Sequence, residues 1–220
     1  MKRLFDIIKY LALRFDRYFG TNIKESGGRI YRPILRFLSP IRRVIDPLFV
    51  RFCYRTGICK ARTLKLHIGC GWKHFNGYIN IDLWITDATD LICDVTRLPW
   101  PENAVEVIES YHVIEHISHR RIREALMDWH RVLIPGGKLI LECPHFDEAV
   151  KEYLSGNVDR LINIFGRQRS YGDAHLYGYT PQRLSLLLED IGFGNIQEGI
   201  PQSSQSLDEP SFRIECTKNT

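Results

Sequence analysis

Three polar features follow successive β-type runs of the sequence: the turn Gly69–Gly71, Asp82 and Asp94. A glycine turn lets a ligand approach the backbone closely, and a carboxylate can accept hydrogen bonds from both hydroxyls of a ribose. Dinucleotide sites continue the turn as GxGxxG and place the acid about 20 residues on. Here the third glycine is missing and Asp82 lies 13 residues after Gly69. The spacing favours a nucleoside without a pyrophosphate, with Asp94 placed to accept from an adenine amine.

A second chemical pattern is the run His112-Val113-Ile114-Glu115-His116, which matches the HxxEH arrangement of inverted zinc proteases. That motif needs both histidines on one helix, whereas this run follows a predicted strand at a turn. We therefore predict no metal site. Two roles stay open for the histidines: His116 packs beneath a ligand cleft, or His112 or His116 faces a substrate.

The elements that would position these residues alternate between strand and helix. The predicted strands are 63–68, 78–83, 91–93, 105–110, 138–143, 195–198 and 211–217, and the predicted helices are 118–133 and 181–190. This order predicts an α/β fold, a Rossmann-like seven-stranded, mostly parallel sheet with flanking helices. Ligands bind such sheets beyond the carboxyl ends of the strands. Only residues 69–76 separate the first two strands, so the first crossover helix is a single turn or missing.

The first 60 of the 220 residues differ in charge from the remainder. They hold 14 Lys/Arg against 4 Asp/Glu, whereas residues 61–220 hold 16 against 22. Apolar residues recur at helical spacing between positions 4 and 19. Residues 29–55, with three prolines seven apart, are expected to form short helical turns. We therefore predict a basic amphipathic helical arm, 1–60, and a domain at 61–220.

Three roles for the arm stay open. It could be a helical cover on the protein's own core or on a partner, a helix lying in an anionic membrane interface, or an arm that binds nucleic acid. The regular apolar stripe favours the first two. No apolar run approaches about eighteen residues, so a spanning helix is not expected.

Cellular location is predicted from the cysteines and the N-terminal run. The six cysteines form no CxxC pair, and three lie in or beside strand-like runs, as reduced cytosolic thiols do. The N-terminal run resembles a signal peptide, but Asp6, Lys9 and Arg14 interrupt it and no small-residue cleavage site follows. We predict a cytoplasmic protein that can lie peripherally at the inner membrane face.

Four segments in this order are similar to the class I S-adenosylmethionine-dependent methyltransferases: LHIGCG (66–71), NID (80–82), CDVTRLPWPENAVEVIESYHVIEHI (93–117) and RVLIPGGKLILECPH (131–145). The sequence most resembles the small type 11-like subgroup, which is often linked to cell-surface glycan synthesis. The resemblance covers about residues 61–217. It implies S-adenosylmethionine as the cofactor and methyl transfer as the reaction.

The resemblance implies cofactor contacts at ten positions: His67, Gly69, Cys70, Gly71, Asp82, Leu83, Asp94, Val95, Ser110 and Tyr111. The glycines would line the methionine part, the carboxylate at 82 would bind the ribose, and residues 83, 94 and 95 would surround the adenine. Ser110 and Tyr111 would close the cleft beside the sulfonium. His67 stands where the family usually has an acid, so one ionic partner of the cofactor's ammonium is replaced by an imidazole.

A histidine is the expected general base for a hydroxyl acceptor. Methyl transfer is an in-line displacement at a cationic sulfonium, so the enzyme mainly supplies alignment and a desolvated site. A neutral imidazole near pH 7 can take the acceptor's proton. We predict His145, after the fifth strand, as the first candidate and His175, in the Tyr/Gly/Arg-rich stretch 167–180, as the second. His116 is a further candidate.

The predicted function is transfer of a methyl group to an oxygen, or else a nitrogen, of a small-molecule or glycan acceptor. The basic arm favours a lipid-linked saccharide at an anionic membrane surface. Two alternatives stay open. One is an RNA or DNA methyltransferase that holds phosphates with the arm, although SYHV (110–113) stands where amino-methylating enzymes carry an Asn/Asp-Pro-Pro-Tyr motif. The other is a scaffold that keeps the fold without binding the cofactor. The oligomeric state is not predicted.

Overall fold

The computed structural model describes residues 31–56, 64–169 and 172–219. The helix predicted between positions 4 and 19 lies outside these ranges. The strands are β1 (Leu64–Ile68), β2 (Ile79–Asp82), β3 (Leu91–Ile92), β4 (Val105–Tyr111), β5 (Leu133–Pro144), β6 (Phe193–Gly199) and β7 (Ser211–Lys218). The helices are α1 (Tyr31–Arg55), α2 (Ile122–Val132), α3 (Phe146–Leu154), α4 (Leu161–Phe165) and α5 (Pro181–Ile191).

In the described chain the seven strands form one sheet in the order β3-β2-β1-β4-β5-β7-β6. The strands from β3 to β5 pair in parallel, and β7 inserts antiparallel between β5 and β6. Leu66, Ile68 and Ile108 are fully buried, as expected for strands that are covered on both faces. The predicted α/β class is confirmed.

Helix α2 shows how the core fixes the segment that follows β3. Its buried side chains, Ile122, Ala125, Leu126, Trp129 and Val132, recur at helical spacing. The Trp129 indole Nε1 donates to the Val95 carbonyl oxygen at 2.7 Å. The segment after β3 is therefore tied to a helix that the core holds rigidly.

The connection between β1 and β2 is short, as predicted. Residues 69–78 form turns in the structure, with no helical turn among them. The backbone N–H groups of Gly69 and Cys70 both donate to the Ile81 carbonyl, at 2.8 and 3.0 Å. These two bonds hold the glycine turn tightly against the end of β2.

Helix α1 is continuous, so the prediction of separate helical turns over 29–55 is wrong. Pro40 and Pro47 lie inside the helix, and an internal proline costs about 3 kcal/mol because it removes a backbone hydrogen bond. The inner face of α1 offsets this cost: Val50 and Cys53 are buried, and Asp46 accepts a hydrogen bond from the backbone N–H of Ile92 in β3 at 3.0 Å.

The C-terminal part of the predicted arm thus packs on the edge of the sheet. Arg43 extends this contact to the loop after β2, where its Nε donates to the Leu83 carbonyl at 2.9 Å and its guanidinium lies 4.5 Å from the Trp84 ring. The domain boundary at residue 60 stays a prediction. Within the described ranges, no helix has both the length and the apolar character needed to cross a membrane.

Candidate functional site

A cleft of about 1420 Å³ opens at the carboxyl ends of the central parallel strands. Its walls come from residues within 69–73, 82–87, 109–116, 162–175 and 202–209. These segments follow β1, β2 and β4, or belong to the connections around α4 and before β7. The cleft therefore lies where ligands bind open α/β sheets.

Asp82 and the glycine turn form one end of the cleft. The Asp82 carboxylate accepts hydrogen bonds from the backbone N–H groups of Gly71 at 2.8 Å and Trp84 at 3.0 Å. Burial raises the pKa of Asp82, and these two N–H groups act in the opposite direction. Gly69 has a φ of +69°, and a Cβ there would lie 2.1 Å from a methyl carbon of Val113. The turn thus needs glycine at position 69.

His67 forms the floor beside this turn. Its Nδ1 lies 3.0 Å from the Asn80 side-chain oxygen, and its ring stacks on Phe75 with centroids 3.9 Å apart. Asn80 also accepts from the Phe75 backbone N–H at 2.8 Å. Burial lowers the pKa of His67. An uncharged ring that supports the Phe75 wall therefore occupies the position where the resembled family usually has an acid.

Glu109 supplies a carboxylate next to that position. In the parallel register of β1 and β4 it is the partner of His67, and it lines the cleft. Its two oxygens accept hydrogen bonds from the hydroxyls of Tyr78 and Tyr111, the latter at 2.6 Å. The sequence reasoning missed Glu109, although its place near the end of the fourth predicted strand was a usable signal.

The cleft brings together eight of the ten predicted cofactor positions: His67, Gly69, Cys70, Gly71, Asp82, Leu83, Val95 and Tyr111. Asp94 and Ser110 lie outside it. The Asp94 carboxylate turns back to the Thr96 backbone N–H and hydroxyl, at 2.9 and 2.7 Å. Ser110 is buried inside the sheet, where β4 pairs with both β1 and β5. Direct contacts from these two side chains are therefore not supported.

The other end of the cleft holds histidines around a buried carboxylate. His112, Glu115 and His116 follow β4, and His175 comes from the segment after α4. Glu115 is 2% exposed, with His112 Nδ1 3.5 Å and His116 Nε2 3.9 Å from its carboxylate. Burial raises the pKa of Glu115, but the three surrounding histidines outweigh this effect and hold it below its usual value. Burial lowers the pKa of His175.

His145, the first candidate for a base, lies outside the cleft. It caps α3, where its Nδ1 accepts from the Glu148 backbone N–H at 3.4 Å, and its ring packs edge-on to Phe212 with centroids 5.5 Å apart. A β-bridge to Tyr179 holds its backbone. Its position after β5 predicts that His145 lies at the mouth of the site. In the structure α3 begins at the next residue, and the His145 ring caps this helix.

A polar loop, residues 202–205, closes the cleft opposite the glycine turn. The buried Glu142 carboxylate accepts from the backbone N–H groups of Gln202 at 2.7 Å and Ser203 at 2.8 Å. Across the cleft, Lys73 Nζ donates to the Ser204 hydroxyl at 2.9 Å. The sequence reasoning did not identify this wall, because a loop far along the chain is brought there by tertiary contacts.

Comparison with known proteins agrees with this geometry. Residues 66–141 match the family model described as a methyltransferase domain. A search of curated proteins gave no significant match. A solved S-adenosylmethionine-dependent methyltransferase from Methanosarcina mazei is 16% identical, with 76% of this chain and 97% of that chain covered and a TM-score of 0.51. A Thermotoga maritima methyltransferase, described as a possible histamine N-methyltransferase, is 14% identical, with coverages of 87% and 97% and a TM-score of 0.50.

At these identities the two solved structures establish the shared fold. The family match covers the part of the chain from β1 to β5, which contains the glycine turn and Asp82, and it supports a class I S-adenosylmethionine-dependent methyltransferase. The protein is an enzyme of methyl transfer, and its methyl donor is S-adenosylmethionine.

Proposed function

We propose that this enzyme methylates a hydroxyl oxygen of a small polar acceptor. The observation that carries the proposal is the arrangement of a single cleft. Asp82 beside the glycine turn forms one end, and His116 and His175 beside Glu115 form the other. The first end suits an adenosine and the second suits an acceptor hydroxyl.

The residues of the first end fit S-adenosylmethionine, which supplies a methyl group on a sulfonium. The Asp82 carboxylate would accept the ribose hydroxyls, and the apolar side chains of Leu83 and Val95 would contact the adenine. The methionine part would lie in the open space beside Gly71, where no described atom comes within 4 Å of a Cβ position. Glu109 would be the ionic partner of the ammonium, in the role that His67 cannot fill.

The residues of the second end suit proton removal from a hydroxyl. The Nδ1 atoms of His116 and His175 lie 2.9 Å and 2.7 Å from the backbone carbonyls of Ala174 and Asn163. A carbonyl only accepts, so each neutral ring carries its proton on Nδ1 and keeps the Nε2 lone pair. Such a ring can accept the acceptor's proton while its oxygen attacks the methyl carbon.

The outer lining of this end supports a hydroxyl-rich acceptor such as a saccharide. Arg167, Arg169 and Asp173 line the cleft, together with the polar loop 202–205. Arg169 and Asp173 pair with each other at 2.9 Å. Polar groups at fixed positions are typical of sites that orient sugars through hydrogen bonds.

A location at the inner membrane face, with a lipid-linked acceptor, completes the proposal. Helix α1 turns an apolar stripe outward: Ile41, Val44, Ile45, Leu48 and Phe52 are each 45–61% exposed. The stripe belongs to the strongly basic first 60 residues. Apolar area beside cationic residues is the pattern of helices that lie in anionic interfaces.

Cofactor binding tests the proposal through Asp82. We expect S-adenosylhomocysteine to stabilise the wild type by about 2.7 kcal/mol at about a hundredfold excess over Kd. Asp82→Ala should weaken binding by about tenfold or more, because hydrogen bonds to a charged group contribute about 1.5–3 kcal/mol. Asp94→Ala is the matched control, since that acid lies outside the cleft. Equal thermal shifts in the two variants, or none in the wild type, would contradict the proposal, and the latter would favour a non-catalytic scaffold.

A further inference from the structure

Glu115, His116 and His175 each place one potential ligand atom within 4.8 Å of the other two. The Glu115 carboxylate faces the cleft but is 2% exposed. Neither of its oxygens has a well-formed hydrogen bond from any described residue. The nearest ring nitrogens, at 3.5 and 3.9 Å, are farther than the 2.7–2.9 Å of a charge-assisted bond. A buried carboxylate without donors is costly, so this geometry points to a missing cationic ligand.

The two histidines are oriented as metal ligands are. A ligating imidazole usually donates its second N–H to a carbonyl or carboxylate, which fixes the tautomer and the ring. His116 and His175 both have Nδ1 at hydrogen-bond distance from a backbone carbonyl, Ala174 at 2.9 Å and Asn163 at 2.7 Å. The Nε2 lone pair of each neutral ring is then free to bind an ion, and His116 Nε2 is the atom nearest Glu115 on that ring.

Backbone hydrogen bonds hold the three residues together before any ion binds. The Glu115 carbonyl accepts from the N–H groups of Leu176 at 2.7 Å and Tyr177 at 3.3 Å. The His175 N–H donates to the Phe165 carbonyl at 3.0 Å. The segment after α4 is therefore fixed to the turn after β4, and the cluster does not depend on flexible side chains alone.

We propose that Glu115, His116 and His175 bind one divalent transition-metal ion at the acceptor end of the cleft. Two imidazole nitrogens and one carboxylate oxygen favour zinc, cobalt, manganese or iron(II) over magnesium or calcium. Three protein ligands leave at least one position open toward the cleft, as in catalytic rather than structural sites. The prediction of no metal from the HxxEH run is revised, because the third ligand is His175 and not His112, whose Nε2 lies 3.1 Å from the Ser203 hydroxyl.

The role of the ion, but not its binding, rests on the proposed function. An acceptor hydroxyl bound to the ion becomes more acidic, as water does on a catalytic metal. Its O–H bond breaks and the proton passes to a water molecule. The oxygen then bonds to the methyl carbon while the carbon–sulfur bond breaks and its electron pair stays on sulfur. In this mechanism the two imidazoles serve as ligands, the ion makes the hydroxyl acidic, and the water molecule replaces the imidazoles as the proton acceptor.

Cobalt(II) titration of the tag-free, EDTA-treated full chain tests the site. We expect one cobalt ion per chain by equilibrium dialysis and a visible absorption band that reports its coordination. His116→Ala and His175→Ala should each weaken binding by more than about 100-fold, since even the partners of ligands contribute about 10–100-fold. Glu115→Gln should weaken it while keeping the side-chain shape. His130→Ala, on α2 and packed on Phe193, is the matched control and should bind as the wild type does.

Thermal unfolding with S-adenosylhomocysteine is recorded on the same samples, so that folding and cofactor binding are known for every variant. A folded wild type that takes up no cobalt, or folded variants of both histidines that bind it as tightly as the wild type, would overturn the metal site. Cofactor binding in those samples would leave the proposed function standing. Cobalt binding without any cofactor binding would instead uphold the site and contradict the function.

Discussion

Gly69 and Val113 show how the absence of a Cβ atom determines the shape of the glycine turn, Gly69–Gly71. A Cβ at position 69 would be strained by the φ of +69° and would overlap Val113 at 2.1 Å. At position 71, φ is +52°, but no described atom lies within 4 Å of a Cβ placed on that residue. The two glycines are therefore required for different reasons, one for both space and conformation and the other for conformation.

We expect Gly69→Ala to destabilise the fold more than Gly71→Ala. Both variants carry the left-handed backbone cost of about 1–2 kcal/mol, and overpacking adds about 1–3 kcal/mol at position 69. Urea denaturation measures the difference. Adding Val113→Ala to the Gly69→Ala variant should recover part of the loss; a double variant no more stable than the additive sum of the two single changes would show that the overlap is not the cause.

His67 makes stability depend on pH. Burial lowers its pKa in the folded state, more than the hydrogen bond to Asn80 raises it, below the value of about 6.5 in the unfolded chain. Protonation of His67 is therefore less favourable in the folded state than in the unfolded chain. Its contribution to the free energy of unfolding is fully present above about pH 6.5 and is lost as the pH falls from there through the lower folded pKa. From about pH 7.5 to 5.5, the wild type should lose more free energy of unfolding than His67→Asn, in which this group no longer titrates. Parallel losses in urea denaturation would contradict this assignment.

At the residue scale, the sequence predicted the residues whose place in the cleft follows from the course of the backbone. It did not predict the residues whose role depends on the direction of the side chain. Asp82 could be predicted because it ends a strand beside the glycine turn. Asp94 and His145 also end or follow strands, but local backbone groups bind their side chains outside the cleft. Glu109 could have been noticed near the end of the fourth predicted strand, but its position beside His67 follows only from the register between β1 and β4.

At the scale of elements, most strands and α5 follow from local pattern. Thr180 caps α5 by accepting from the Arg183 N–H, and Gly192 ends it at a φ of +111°, as the sequence signals predict. Helices α3 and α4 were not predicted, and α1 was divided at its prolines. Helix α1 is held by contacts with the distant strand β3, for which a local pattern carries no signal.

Asp46 is the polar anchor of α1, since it accepts from the Ile92 N–H at 3.0 Å and from Arg42 at 2.8 Å. Asp46→Ala leaves the Ile92 N–H unpaired, and we expect a loss of about 1–3 kcal/mol. Hydrogen exchange should show faster opening of α1 and β3 than in the wild type. Val44→Ala, at a position 61% exposed, is the control on the outer face of α1. Equal exchange in the two variants would mean that Asp46 does not anchor the helix.

At the scale of the whole molecule, the charge is divided between a basic N-terminal region and an acidic domain. We expect the full chain to bind vesicles that contain anionic lipid, through both the charge and the apolar stripe of α1. Leu48→Glu combined with Phe52→Glu should abolish vesicle binding while leaving the thermal shift with S-adenosylhomocysteine intact. Cosedimentation across a salt titration measures this. Steep salt-dependent binding to RNA with weak vesicle binding would favour the nucleic-acid alternative.

Arg43 joins the outer helix to the interior of the enzyme. It donates to the Leu83 carbonyl and covers Trp84, and both of those residues line the cleft at the end proposed for the adenosine. A displacement of α1 would therefore reach the proposed nucleoside end of the cleft without passing through the sheet. Thermodynamic linkage would make such a connection reciprocal. If binding of α1 to a surface changed the affinity for the cofactor by some factor, cofactor binding would change the affinity for the surface by the same factor. If α1 attaches to a membrane as proposed, the anchored enzyme would bind its cofactor with a different affinity from the enzyme that diffuses freely.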